Sequence, residues 1–121
     1  MSRKTLVYAF VFLILSCAAA SAAVPKDMIG TWRWQAFTIK VSECQPDRVC
    51  AKVVAGPKNV GMEIFASGLV AKGNEWLGQI VDPQTKDLYH TRFRKVDADT
   101  WRLNGCTATA VCLGGEFLRV K

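Results

Sequence analysis

Few side chains in this sequence are equipped for covalent or metal chemistry. His90 is the single histidine of the 121-residue chain, which excludes a metal site built from histidines. Ser42 and Ser67 lack the Gly-x-Ser-x-Gly surroundings of an activated serine. Asp82 and Asp87 bracket a polar turn, but the alternating carboxylates of a calcium loop are missing. Asp82-Pro83 is better explained as turn chemistry. Of the five cysteines, Cys17 lies in an apolar leader, and Cys44, Cys50, Cys106 and Cys112 form two C-x5-C pairs. An even number in an exported chain favours disulfides over free thiols. Each pair flanks a segment rich in turn-forming residues, so Cys44–Cys50 and Cys106–Cys112 are the expected bridges. Each would contribute about 2–2.5 kcal/mol on the chain-entropy model. The competing four-cysteine zinc site fits poorly, because zinc knuckles usually space their cysteines more closely. The expectation is a non-enzymatic protein with no cofactor and no metal.

What remains for binding is charge and aromatic surface. His90, Arg92 and Arg94, with Lys95 beside them, form a basic stripe on the polar face of a strand. Such a stripe is either a solvated face carrying gatekeeper charges or an anion site for envelope components. Trp34, Trp76 and Trp101 are the aromatic residues expected at the mouth of a ligand-binding barrel.

The elements that hold these residues are strands. From Trp76 to Val81 the chain is mostly apolar, Asp82 to Asp87 makes a turn, and Leu88 to Lys95 alternates with a period of two. Tyr89, Thr91 and Phe93 share one face; His90, Arg92 and Arg94 share the other, as in a hairpin with one wet side. Upstream, Trp32 and Trp34 share a face, whereas Phe37, Ile39 and Val41 have the opposite parity. The chain must therefore break near Gln35-Ala36, giving strands over 30–35 and 37–43. Residues 44–50 read as a loop around Pro46-Asp47, followed by a strand over 49–55. The stretch 61–70 is ambiguous, and its flanking glycines favour strand or irregular structure over helix. Thr100 to Cys106 is a further strand. Gly114-Gly115 is expected to kink the chain before a closing strand over 116–121.

Residues 1–22 stand apart. A basic start at Arg3-Lys4, an apolar run from Leu6 to Leu15 and the small-x-small site Ala20-Ser21-Ala22 describe a secretory signal peptide, leaving 23–121 as one domain. The rival reading is a lipoprotein leader acylated on Cys17, after Ile14-Leu15-Ser16, in which Leu15 fits badly. Only in that case is membrane attachment expected. Removing Arg3 and Lys4 with the leader lowers the net charge from +6 to +4. That is mild for a domain of this size and gives no reason to expect nucleic acid as a partner. The location expected is the periplasm or the exterior. Seven or eight short strands without a confident helix predict an all-β domain, a small antiparallel barrel or sandwich.

Taken together, these segments resemble an exported bacterial family catalogued as domain of unknown function 2147. The likeness runs from residue 28 to residue 121. It rests on Gly30-x-Trp32, on Cys44 and Cys50 followed by Lys52, and on Gly61 with Ile64. Its most specific part is Trp76-x-Gly78-x-Ile80-x-Asp82-Pro83 with Tyr89; Leu103-x-Gly105-Cys106 and Phe117-x-Arg119 complete it. Ala51, Lys86-Asp87 and Phe117 depart from the family pattern, and the stretch between Cys50 and Gly61 is shorter. The resemblance implies an envelope compartment and no particular activity. A second resemblance, to lipocalin-like (calycin-like) barrels, implies that Arg119 of the last strand lies across Trp32 of the first and plugs one end, a cation–π contact worth about 0.5–2 kcal/mol. The reading that results is a small lipocalin-like barrel that binds a small hydrophobic or amphiphilic envelope molecule. The alternative is a solid-core protein-interaction or envelope-integrity module. A ligand barrel needs an apolar cavity of about 300 Å³ or more.

Overall fold

The computed structural model describes residues 24–121. The signal peptide expected over 1–22 and Cys17 lie outside them. After a single 3-10 turn at Lys26–Met28 the chain forms eight strands: β1 (Gly30–Trp34), β2 (Phe37–Gln45), β3 (Arg48–Ala55), β4 (Val70–Lys72), β5 (Glu75–Val81), β6 (Leu88–Asp97), β7 (Thr100–Cys106) and β8 (Cys112–Arg119). All pairings are antiparallel. The order across the sheet is β3-β2-β1-β8-β7-β6-β5-β4. The sheet curls into a small all-β barrel.

The parity change between Trp34 and Phe37 marks a real turn. The two residues face each other across the β1–β2 hairpin, and Gln35 takes a positive φ of 55°, the backbone sense that tight hairpins require. In the central hairpin Ile80 pairs with Tyr89 and Trp76 with Phe93. Its turn is fixed by Asp82, whose Oδ1 accepts the Gln84 N–H at 2.8 Å and whose N–H donates to the Asp87 carbonyl at 2.9 Å. Asp82 retains only 6% exposure, which suits a side chain spent on its own backbone.

Two expectations about boundaries need correction. Residues 44–50 are mostly strand: β2 runs to Gln45 and β3 starts at Arg48, leaving Pro46-Asp47 as the turn. Gly114-Gly115 does not separate a loop from the closing strand but lies inside β8. Its reason is packing, since a Cβ on Gly115 would sit 3.1 Å from the Trp34 indole nitrogen. Both disulfides, Cys44–Cys50 and Cys106–Cys112, are present. Cys106 and Cys112 are direct partners across β7 and β8.

The ambiguous stretch 61–70 supplies the missing wall between β3 and β5. On one side the Gly61 N–H donates to Val53 at 2.7 Å and the Ile64 N–H to Ala51 at 2.8 Å. On the other, the Val81 N–H donates to Ile64 at 2.7 Å and the Ala66 N–H to Gln79 at 2.9 Å. Glu63 completes the seam, its Oε2 accepting from the Ala51 N–H at 2.7 Å and the Phe65 N–H at 3.0 Å. At 67–69 the wall kinks. The Ser67 hydroxyl takes the Gln79 N–H at 3.0 Å, the role a strand carbonyl would otherwise fill. Leu69 turns inward onto Gly78, and β4 continues along β5 alone.

The interior is filled by aromatic side chains. Trp32, Trp34, Phe37, Phe65, Phe93 and Phe117 are all below 2% exposed. Phe117 is the hub, with ring centroids 5.6 Å from Trp34, 5.8 Å from Phe93 and 6.5 Å from Trp32. An eight-stranded barrel has an interior about the size its own side chains can fill, and here they do so.

Candidate functional site

Three features carry most of the residues singled out by sequence: a plugged end, a shallow recess beside it and a groove on the outer face. At the plugged end the 3-10 turn folds Met28 under the barrel, and the Trp32 indole N–H donates to the Met28 carbonyl at 2.7 Å. The Arg119 guanidinium lies 4.2 Å from the centroid of the Trp32 ring. It donates to the carbonyls of Asp27 (2.9 Å), Ala98 (3.1 Å) and Ile29 (3.2 Å), and approaches Asp99 at 3.4 Å. Gly30 makes room for it, because a Cβ there would collide with the Arg119 side chain. The arrangement ties the N-terminal turn, β1, the β6–β7 turn and β8 together. Its donors are engaged by the protein's own carbonyls, so it is a structural device.

The three tryptophans expected at a barrel mouth are distributed differently. Trp34 is packed against Phe117 in the core. Trp101 is 2% exposed. With the half-buried Trp76 it borders a recess of about 300 Å³, whose other walls include Val24, Pro25 and Lys95. The Lys95–Asp27 ion pair at 2.9 Å spans the rim. The structure thus brings Trp76 and Trp101 together and leaves Trp34 outside the recess.

On the outer face of β4 to β7 lies an open groove of about 970 Å³. It forms because of alternation. Thr91 and its cross-strand partners Gly78 and Gly105 make one row across β5, β6 and β7, and the only side chain in that row points inward, where Thr91 is 3% exposed. The groove floor is therefore close to bare backbone. On either side of this row the outward residues rise as walls. One wall carries Gln79, His90 and Cys106; the other carries Val70, Leu77, Arg92 and Asn104. The lining divides chemically: Val70, 65% exposed, and Leu77 form an apolar end on β4 and β5, whereas His90, Arg92 and Asn104 form a polar, cationic end on β6 and β7. No lining residue is acidic. Among the described residues Arg92 makes no ion pair. Gln79 Nε2 lies 3.4 Å from His90 Nδ1.

The basic stripe is thereby divided. His90 and Arg92 line the groove, and Arg94 lies beyond its edge, opposite Arg102, which leans towards Glu116 at 3.5 Å. Reasoning from sequence missed Val70, Leu77, Gln79 and Asn104. Leu77 and Gln79 alternate with Trp76 and Gly78, which was a usable signal. Val70 and Asn104 come from other hairpins and have no local signature. On the inward face of β6, next to His90, burial pushes the Tyr89 hydroxyl above its ordinary pKa, helped by the negative charges of Asp82 and Asp87.

Compared with family models, curated proteins and solved structures, the chain finds no match. No helix among the described residues is long and apolar enough to cross a membrane. The two disulfides belong to an oxidising, extracellular type of compartment.

Proposed function

We propose that the protein is a non-enzymatic, exported β-barrel binding module, its resemblance to domain of unknown function 2147 implying the envelope compartment alone. Its site is the groove on the outer face of β4 to β7, not the barrel interior. The supporting observation is the contrast between an interior occupied by six fully buried aromatic side chains and an external groove of about 970 Å³. That volume lies within the about 300–1,000 Å³ typical of small-molecule sites. The ligand is a small envelope molecule with an apolar part. The signal peptide read from residues 1–22 and the paired cysteines together support delivery to the periplasm or beyond.

The test is native mass spectrometry of the protein purified oxidised from the periplasm. An extra mass that is lost on denaturation, and that is absent from Val70→Asp and Leu77→Asp variants, is the expected result. An extra mass retained by both variants would overturn the groove as the site. The filled interior also favours a second reading, a solid-core interaction or envelope-integrity module; a bare mass in wild type and variants alike would favour it.

A further inference from the structure

We infer that the groove selects a single-chain amphiphile with one anionic head, a carboxylate or phosphate monoester, held by Arg92. This rests on the groove being the binding site, as proposed above, and adds the chemistry of what enters it. The division of the lining carries the inference. An apolar half, Val70 and Leu77 on β4 and β5, is joined edge to edge with a cationic half, because Leu77 pairs directly with Arg92 and Arg92 with Asn104. A ligand following this cross-strand row passes from aliphatic carbon to guanidinium to amide.

The charge pattern excludes the other head groups. A cationic head would meet Arg92 and the adjoining His90 with no carboxylate in the lining to balance it. A neutral head leaves Arg92 with its fork of donors unused. A carboxylate or phosphate matches that planar fork with two parallel hydrogen bonds. Asn104 lies next to Arg92 across the strands and adds an amide donor. His90, paired across the strands with Gln79 and Cys106, stands in the neighbouring wall of the same groove. The next outward row bounds the groove with mixed charge: Lys72 pairs with Glu75, Arg94 faces Arg102, and Arg102 faces Glu116. An apolar chain is thereby confined to the Val70 and Leu77 side.

Isothermal titration calorimetry distinguishes the outcomes. The ligands are dodecyl phosphate, dodecanoate, dodecyl maltoside, dodecyltrimethylammonium and inorganic phosphate, each below its micellar concentration. Arg92 is exposed, so Arg92→Gln is expected to fold normally. The expected result is that dodecyl phosphate and dodecanoate bind best. Arg92→Gln should weaken both by about tenfold or more, the value of a charge-assisted pair, while dodecyl maltoside is unaffected. Dodecyl maltoside binding as tightly as the anions, lost in Val70→Asp but not in Arg92→Gln, would overturn the anionic head and leave the groove as the site. Inorganic phosphate binding as tightly as dodecyl phosphate would overturn the amphiphile. Failure of every dodecyl compound to bind would overturn this inference together with the groove reading.

Discussion

Replacing Arg119 by alanine tests whether the plugged end holds the barrel together. The substitution removes a cation–π contact at 4.2 Å, hydrogen bonds to three backbone carbonyls and an ion pair at 3.4 Å. A hydrogen bond to a charged group contributes roughly 1.5–3 kcal/mol when dry. The Arg119 side chain keeps 26% of its exposure, so water replaces part of each bond in the variant. The ring contact adds about 0.5–2 kcal/mol. Asp99 is 46% exposed, which holds its share below about 1 kcal/mol. The net expectation is a loss of about 3 kcal/mol, or roughly 12–24 °C in Tm for a domain of this size. Arg119→Lys keeps the charge but not the fork and should lose about half as much; Asp99→Asn should lose less than about 0.5 kcal/mol. Urea unfolding followed by tryptophan fluorescence reads all three, with an unchanged slope showing that stability alone has altered. An Arg119→Ala variant within about 1 kcal/mol of wild type, or no worse than Asp99→Asn, would refute this reasoning.

The seam, the floor of the groove and Tyr89 give three further expectations. Glu63→Ala strands the Ala51 and Phe65 N–H groups, at a cost of about 2 kcal/mol; hydrogen exchange should accelerate first at those two amides, and uniform acceleration across the barrel would contradict the seam. Gly105→Ala places a Cβ 2.7 Å from the His90 carbonyl, a backbone atom, whereas Gly78→Ala meets the flexible end of Leu69. The first should lower stability by about 1–3 kcal/mol and the second by clearly less, and equal losses in thermal unfolding would count against a floor set by backbone contact. Tyr89 is the only tyrosine in residues 24–121, so its ionisation can be followed by ultraviolet absorbance. The folded state holds the phenolic proton more tightly than the unfolded state. Stability is therefore intact below about pH 10 and falls as pH rises from there through the folded-state value. A midpoint at or below the ordinary tyrosine value would contradict its burial.

The central hairpin was legible because its signals are local. Alternation from Tyr89 to Arg94 and the turn chemistry of Asp82-Pro83 fix a register without help from the rest of the chain. The β1–β2 turn was legible for the same reason, since parity changes between Trp34 and Phe37. The wall at 61–70 was not, because it is built from non-local substitutes for strand pairing. Glu63 supplies a carboxylate where a carbonyl would stand, and Arg48 donates to the Phe65 carbonyl at 2.9 Å. Neither partner is recognisable until β3 and β5 flank the segment. The start of the closing strand is hidden because two glycines look like a break; in the fold Gly115 is what lets β8 pass beneath Trp34. Of the candidate site, His90 and Arg92 were legible as a stripe, but a stripe does not reveal a groove. The concavity depends on Gly78 and Gly105 flanking Thr91 on three neighbouring strands, and on Val70 and Leu77 arriving beside Arg92. Trp34 and Trp101 are both almost fully buried for a physical reason: an indole large enough to line a cavity is equally able to fill one.

The most direct test is a two-dimensional ¹H–¹⁵N spectrum of the oxidised domain titrated with dodecyl phosphate. The expected result is that amide shifts concentrate at Leu77, Gln79, His90, Arg92, Asn104 and Thr107, while the indole N–H signals of Trp34 and Trp101 hold their positions. Shifts confined to those two indoles and to the buried aromatic residues, with the outer face of β5 to β7 unmoved, would place the ligand inside the barrel and contradict the groove.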